Sequence, residues 1–112
     1  MKFVMFIYQP KGFDAKALSG DEYKSIAAQY AEVTATPNLT QGAPAGFAEK
    51  AVTVRVQNGK TVRTPGPYTD PPVGGYCEFD AETLEEAVAL ASRFPTAHLG
   101  GAIEVRPSER YW

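Results

Sequence analysis

The pattern of apolar and polar positions predicts strands at both ends of the chain. Residues 2–9 read KFVMFIYQ and contain strand-forming residues with no breaker before Pro10. Successive side chains of a strand alternate between two faces. Here both faces are apolar, with Phe3, Met5 and Ile7 on one and Val4, Phe6 and Tyr8 on the other. In an antiparallel sheet with one solvent-exposed face, apolar and polar residues should alternate along each strand. Because both faces are apolar here, we expect each face of the sheet to be covered by a further layer.

Two segments have the spacing of amphipathic helices. Ser19 and Glu22 fit a capping box, and apolar residues then recur at helical spacing from Tyr23 to Val33. Pro37 ends this helix, because the residue before a proline avoids the α conformation. The second helix is predicted to begin with Asp80 as its N-cap and to end at Pro95. Its apolar stripe comprises Leu84, Ala87, Val88 and Ala91.

A hairpin is predicted between the helices, because valine alternates with polar residues over residues 52–57 and Asn58-Gly59 follows. A two-residue loop would place Arg55 opposite Val62 and mix the two faces. A three-residue loop, residues 57–59, places Val54 opposite Val62 and Arg55 opposite Thr61. We predict the second register, with Gly59 in a bulge.

Further strands are predicted at residues 76–79 and 102–106, which gives the order β-α-β-β-β-α-β. The fold class is therefore α+β: a single domain over residues 1–112, with a mainly antiparallel, ferredoxin-like sheet and two helices on one face. Two helices leave the second face of the sheet uncovered. A second copy of the chain related by two-fold symmetry would cover it, so we expect a homodimer.

Composition narrows the classes of function. The chain has 112 residues, a net charge of −2, one cysteine and one histidine. Its few basic residues form no stripe for a phosphate backbone, which argues against nucleic-acid binding. Neither a metal-ligand spacing nor a cofactor motif is present, so we expect no metal and no cofactor. The apolar residues at the start are too few for a membrane span, and we expect a cytoplasmic protein.

Three segments together resemble the DGPF (YCII-related) family: KFVMFIY at residues 2–8, TPGPYTDPPVGGYCEFD at 64–80, and EEAVALASRFPTAHLGGAIEVRP at 85–107. The likeness covers nearly the whole chain in the same order. It implies a ferredoxin-like sheet paired face to face with a second copy in a dimeric α+β barrel. We therefore expect a small-molecule-binding protein with a pocket between the sheet and the dimer partner, bordered by Tyr68 and Asp70. Related dimeric α+β barrels include cofactor-independent lyases, isomerases and monooxygenases, which suggests an enzyme of one of these types.

The chain departs from the family pattern at two places. The Asp-Gly-Pro-Phe signature reads Pro65-Gly66-Pro67-Tyr68 here, so its acid is missing. The histidine–aspartate pair of the YCII branch has no counterpart, since the first helix contains no histidine. These departures favour an alternative function, a non-catalytic regulatory or partner-binding dimeric module.

Candidate site residues follow from residue type and position. The catalytic candidates are Asp70, in the proline-rich loop, and His98, the only histidine. The substrate-binding candidates are Tyr8, Tyr68, Arg55 and Arg106. Each has a structural alternative: a turn for Asp70, a surface position for His98, and packing for the tyrosines. For the arginines the favoured alternative is a salt bridge to Glu78 or Glu104 at the dimer interface. Tyr8 and Tyr30 are also candidates for lining a cavity beneath the helices or between two sheets, with core packing as the favoured interpretation.

Overall fold

The computed structural model describes the backbone of residues 1–112 and every side chain except that of Ala15. Over these residues the chain forms six strands, three α-helices and two short 3-10 helices. The strands are β1 (Lys2–Tyr8), β2 (Leu39–Gln41), β3 (Val52–Gln57), β4 (Lys60–Pro65), β5 (Val73–Asp80) and β6 (Ala102–Pro107). The helices are α1 (Gly20–Thr34), α2 (Leu84–Ala91) and α3 (Pro95–His98), and the 3-10 helices are Ala15–Ala17 and Ala48–Lys50.

The main sheet has four strands in the order β2-β5-β1-β6, and each neighbouring pair is antiparallel. β1 lies in the centre, where Phe3 is opposite Phe79 of β5 and Pro107 of β6. The prediction of an α+β chain with a mainly antiparallel sheet is confirmed. The strand order is compatible with the ferredoxin-like arrangement.

The helices cover one face of this sheet and form the core with it. That face supplies Phe3, Met5 and Ile7 of β1 together with Cys77 of β5, and the helical side contributes Val33, Ala87, Leu90, Ala91 and Phe94. Phe3, Met5 and Phe94 are the largest fully buried side chains. Burying a side chain of this size contributes about 1.5–3 kcal/mol to the free energy of folding. The face of β1 that carries Phe3, Met5 and Ile7 therefore packs against the helices.

The helix ends agree only in part with the sequence. The capping box of α1 is confirmed: Ser19 Oγ accepts from the Glu22 N–H at 3.1 Å, and Glu22 Oε1 accepts from the Ser19 N–H at 3.2 Å. The predicted N-cap Asp80 is wrong, because Asp80 is the last residue of β5 and pairs with Lys2. Thr83 caps α2 instead, its Oγ1 accepting from the Glu86 N–H at 3.2 Å.

The end of the second helix also differs, because α2 stops at Ala91 and Pro95 begins a third helix, α3. Proline is well suited to the first turn of a helix, where its missing N–H costs nothing. The predicted apolar stripe is only half buried: Ala87 and Ala91 are in the core, whereas Leu84 and Val88 are exposed.

The predicted hairpin exists, but its register is wrong. β3 and β4 form a separate two-stranded sheet in which Arg55 lies opposite Val62 and Val54 opposite Arg63. A two-residue turn joins them, with positive φ at both Asn58 (51°) and Gly59 (76°), as a type I′ turn requires. The valines of β3 stay 50–68% exposed. Burial therefore does not select the register, and the turn does.

The strand that completes the main sheet is β2, which the sequence pattern did not predict. Its three residues place Leu39 opposite Phe79 and Gln41 opposite Cys77. Three residues are too few to show a period of two, so this edge strand left no signal in the hydrophobic pattern.

The molecule is broad and thin, with principal extents of 45 × 43 × 20 Å. Its radius of gyration is 15.8 Å, against about 13 Å for a compact domain of this length. Its accessible surface is 7981 Å², whereas a compact monomer of this mass exposes about 6000 Å². None of the helices in the described residues has the length and apolar character needed to cross a membrane.

Candidate functional site

A cleft of about 410 Å³ opens beneath α1 at the end of β1, and we call it the α1 cleft. Its walls are formed by residues 7–18, helix α1 and residues 96–99, together with Pro44 and Gly74. Most lining side chains are apolar or aromatic. The lining consists of Ile7, Gln9, Pro10, Phe13, Leu18, Tyr23, Ile26, Ala27, Tyr30, Pro44, Gly74, Thr96 and Leu99.

The floor of the α1 cleft is fixed by contacts between α1 and α3. The hydroxyl of Tyr30 is hydrogen-bonded to that of Thr96, and the Tyr30 ring meets Phe94 edge to face at 5.9 Å between centroids. Thr96 is only 4% exposed. Gly101 lies between Thr96 and the end of β1, where a Cβ would come within 2.4 Å of the Tyr8 carbonyl oxygen and 2.5 Å of Thr96 Cγ2.

The side chain of Gln9 borders the opposite side of the α1 cleft. Its backbone N–H donates to the Pro72 carbonyl at 3.1 Å, which holds the end of β1 against the start of β5. The β1–β5 pairing skips Gly74 between the Ile7–Gly75 and Tyr8–Val73 pairs, so Gly74 lies in a bulge. The Gln9 amide rests on Gly74, where a Cβ would lie 2.4 Å from Gln9 Nε2.

A second cleft of about 350 Å³ adjoins the first across Gln9 and Phe13, and we call it the outer cleft. Here the segment after β1 meets residues 46–49. Lys16 Nζ donates to Glu49 Oε1 at 2.8 Å and lies 5.1 Å from the centre of the Phe47 ring. The hydrogen bond to Glu49, together with its negative charge, raises the pKa of Lys16. The ion pair thus joins the two 3-10 helices at the mouth of the cleft.

Tyr8 and Arg106 lie on the sheet face opposite the helices, which we call the open face. It carries Val4, Phe6, Tyr8, Tyr76, Glu78, Glu104 and Arg106. Arg106 donates from Nε and Nη2 to Glu104 Oε2, both at 2.6 Å, and its guanidinium lies 5.4 Å from the centre of the Phe6 ring. Arg106 therefore pairs with Glu104 within the chain, on the face where the salt bridge across a dimer interface is predicted.

The remaining substrate-binding candidates lie elsewhere. Tyr68 is 76% exposed and lines a shallow cleft that also includes Phe47. Arg55 is exposed on the hairpin, opposite Val62. The structure therefore places Tyr68 and Arg55 on segments separate from the open face, which carries Tyr8 and Arg106.

The two catalytic candidates do not share a cleft in this chain. Asp70 is exposed and lines none of the clefts described above. His98 is also exposed, and its Nε2 lies 2.5 Å from the carbonyl oxygen of Ser92. When Nε2 carries the proton it donates to this oxygen at the end of α2, which is a structural role.

Sequence reasoning named Tyr30 as a cavity candidate and missed two other polar residues of the cleft, Gln9 and Thr96. Tyr30 does line the cleft beneath α1, although core packing was the favoured interpretation. The available signal for Gln9 was the Gly74-Gly75 pair, because a glycine in a strand often marks a bulge or the close approach of another group. That signal does not identify the partner, which comes from a different strand.

Cys77 offers no reactive thiol to either cleft. It is 2% exposed beneath the helices, and burial raises the pKa of its thiol to about 11. Within the part of the chain that the structure describes, no three His, Cys, Asp or Glu side chains are grouped as a metal site would require.

The α1 cleft provides an amide, hydroxyls and aromatic rings. Among the described residues, no charged side chain lines it, so the cleft is suited to an uncharged molecule that is mostly apolar. Comparison of the sequence with models of protein families and with curated proteins finds no match.

Proposed function

We propose that the chain is a homodimeric small-molecule-binding protein whose ligand occupies the α1 cleft. The observation that carries this proposal is the cleft itself. Its volume of about 410 Å³ falls within the range of about 300–1,000 Å³ that is typical of ligand pockets. Its apolar wall with a few polar groups, the Gln9 amide and the Tyr30–Thr96 hydroxyls, is also typical of such sites.

The proposal is for binding rather than catalysis. A lyase or isomerase needs a general base within hydrogen-bond reach of the proton that it removes. The titratable side chains in the described lining of the α1 cleft are tyrosines. Asp70 and His98 remain untested as catalytic groups, and a role for either one depends on what the second subunit adds.

A second copy is the partner that we propose for the open face. Phe6 and Tyr76 are in contact there, 5.9 Å between ring centroids, and Tyr76 is 38% exposed. The molecule as a whole exposes about 2000 Å² more than a compact monomer of its mass, so it has surface enough for a standard interface, in which each partner buries roughly 800 Å². Membership of the DGPF family, with its dimeric α+β barrel, stays a prediction that this arrangement supports.

The competing proposal is a regulatory or partner-binding dimeric module without a ligand. The exposed valines of β3 favour it, because Val52, Val54 and Val56 lie on one face of the hairpin at 50%, 59% and 68% exposure. Under either proposal the single buried thiol fits a reducing compartment, and we propose the cytoplasm.

A fragment screen by ligand-observed NMR tests the proposal. Ala27 and Ala28 are neighbouring exposed residues of α1, and of the two only Ala27 lines the cleft. Ala27→Trp therefore places a large side chain at the wall of the cleft, whereas Ala28→Trp adds the same side chain outside the lining. We expect wild type and Ala28→Trp to bind the same fragments and Ala27→Trp to lose them. If wild type binds nothing, or if Ala27→Trp binds as wild type does, the module proposal replaces this one.

A further inference from the structure

We propose that the α1 cleft selects uncharged ring compounds that carry one hydroxyl or carbonyl group, and that Gln9, positioned by Gly74, recognises that group. The inference rests on the proposed function and adds the chemical class of the ligand. It depends on where the polar atoms of the cleft lie and on which of them already have partners.

The Gln9 amide and the Tyr23 hydroxyl are the polar groups of the α1 cleft that hydrogen-bond to no other described side chain, and Gln9 is the less exposed of the two, since Tyr23 is 63% exposed. Tyr30 and Thr96 already hydrogen-bond to each other. The side chain of Gln9 makes no hydrogen bond among the described residues. It is partly buried and lines both clefts, and its amide atoms are open to solvent rather than buried without a partner. An amide offers two donors and a carbonyl acceptor, so it can pair with either a hydroxyl or a carbonyl group.

Gly74 determines where this amide lies. A Cβ at Gly74 would come within 2.4 Å of Gln9 Nε2 and 2.9 Å of Gln9 Cδ, closer than real Cβ contacts. Any side chain at Gly74 would therefore displace the amide. Gly74 acts as a positioning residue, and the bulge in β5 is the structural device that brings its backbone against Gln9.

The charges around the clefts disfavour an ionic ligand. A charge buried without a partner in an apolar pocket is costly, and none of the described residues that line the α1 cleft is charged. The outer cleft at its mouth contains two acids, Asp14 and Glu49, and one base, Lys16. Lys16 is already paired with Glu49. An anion would thus meet net negative charge and an occupied lysine.

The aromatic side chains of the wall favour a ring. Phe13, Tyr23 and Tyr30 come from two segments and line the same cleft. Aromatic rings attract one another beyond their burial when they stack with an offset or meet edge to face. A flat ring system could use these faces while presenting its single polar group to Gln9.

Three naphthalene compounds test separately how the ring, the polar group and the charge of a ligand affect its affinity. Isothermal titration at neutral pH compares 2-naphthol, which has a neutral hydroxyl, with naphthalene, which has no polar group, and with 2-naphthoate, which is an anion. The variants are Gln9→Leu, which removes the amide, and Gly74→Ala, which keeps the amide but displaces it. Gly20→Ala is the control, because a Cβ there meets nothing within 4 Å.

For wild type and Gly20→Ala we expect 2-naphthol to bind up to about tenfold more tightly than naphthalene, the net value of one hydrogen bond. We expect 2-naphthoate to bind most weakly. In Gln9→Leu and Gly74→Ala the ratio of naphthol to naphthalene affinity should fall to about one. A loss of fold would weaken both probes together and would not change this ratio selectively.

Three results would overturn the inference: equal or tighter binding of 2-naphthoate, an unchanged ratio in Gln9→Leu, or an equal fall of the ratio in Gly20→Ala. Failure of all three probes, while other fragments bind and are lost in Ala27→Trp, would also overturn it and would leave the proposed function standing. A fragment screen without any binder would remove both.

Discussion

Tyr30 of α1 and Thr96 of α3, 66 positions apart in the sequence, are hydrogen-bonded through their hydroxyl groups, and this pair joins the two helices. The two hydroxyls differ in access to water. Thr96 is 4% exposed, whereas Tyr30 is only partly buried and lines the α1 cleft. The pair therefore ties the floor of the cleft to the core, and its two members should respond differently to substitution.

Removing Tyr30's hydroxyl should destabilise the chain more than removing that of Thr96. Tyr30→Phe leaves a buried threonine hydroxyl unpaired, which costs about 1–3 kcal/mol. Thr96→Val has nearly the same shape and leaves a tyrosine hydroxyl that can reach water, so we expect a loss below about 1 kcal/mol. Urea unfolding of the two variants and of the double variant measures this.

The double variant should be no less stable than Tyr30→Phe alone, because it leaves no buried hydroxyl without a partner. Additive losses in the double variant would contradict the coupling of the two residues.

Replacing two neighbouring residues of β1 by aspartate should have different effects, one on the fold and the other on the dimer. Met5 is 0% exposed beneath the helices, so Met5→Asp buries an unpaired charge at a cost of several kcal/mol, a large part of a typical stability. We expect Met5→Asp to prevent folding. Phe6 lies on the open face, and we expect Phe6→Asp to keep the fold and to abolish the dimer. Circular dichroism and sedimentation distinguish the two outcomes.

Val88→Asp is the control for this comparison, since Val88 is 51% exposed on α2 and should keep both fold and dimer. A wild-type chain that sediments as a monomer at micromolar concentration, or a Phe6→Asp variant that remains dimeric, would contradict the open face as the interface.

The stability of the chain should fall as the pH rises from about 9 to about 11, in part because of Cys77. The pKa of its thiol is raised by burial from 9.0 to about 11. Over that interval the unfolded chain releases the thiol proton while the folded chain retains it, so unfolding becomes more favourable. The expected loss is about 1–3 kcal/mol relative to Cys77→Ala, which removes the thiol and leaves the other titrating groups. Denaturant unfolding at pH 8 and pH 11 provides the comparison, and parallel losses in the two proteins would contradict the effect.

The elements that could be predicted from the sequence are those in which the buried residues recur at a regular spacing. β1 showed its two apolar faces, and the structure buries Phe3, Met5 and Ile7 while leaving Phe6 partly exposed. The Ser19 cap of α1 was predicted from local hydrogen-bonding chemistry alone. The hairpin register was wrong because it was chosen by matching apolar faces. In this chain Val54 remains exposed, and the positive φ values of Asn58 and Gly59 decide the turn.

The candidate site was less accessible to sequence reasoning. Tyr30 could be named because an aromatic residue on an amphipathic helix lies near the core. Gln9 and Phe13 could not, because the cleft exists only where the segment after β1 packs against α1 and residues 96–99. Asp70 and His98 were chosen for their chemistry, and the fold places both at exposed positions that share no cleft.

Chemical-shift mapping tests the central claim, the binding of a small molecule in the α1 cleft, most directly. The measurement is a ¹H–¹⁵N correlation spectrum of the wild-type chain titrated with a fragment that it binds. We predict that the largest shifts occur at Gln9, Phe13, Tyr30 and Leu99, which line the cleft, and that the amides of the β3–β4 hairpin stay unchanged. Shifts confined to the hairpin or to the open face, with these four amides unmoved, would contradict the account.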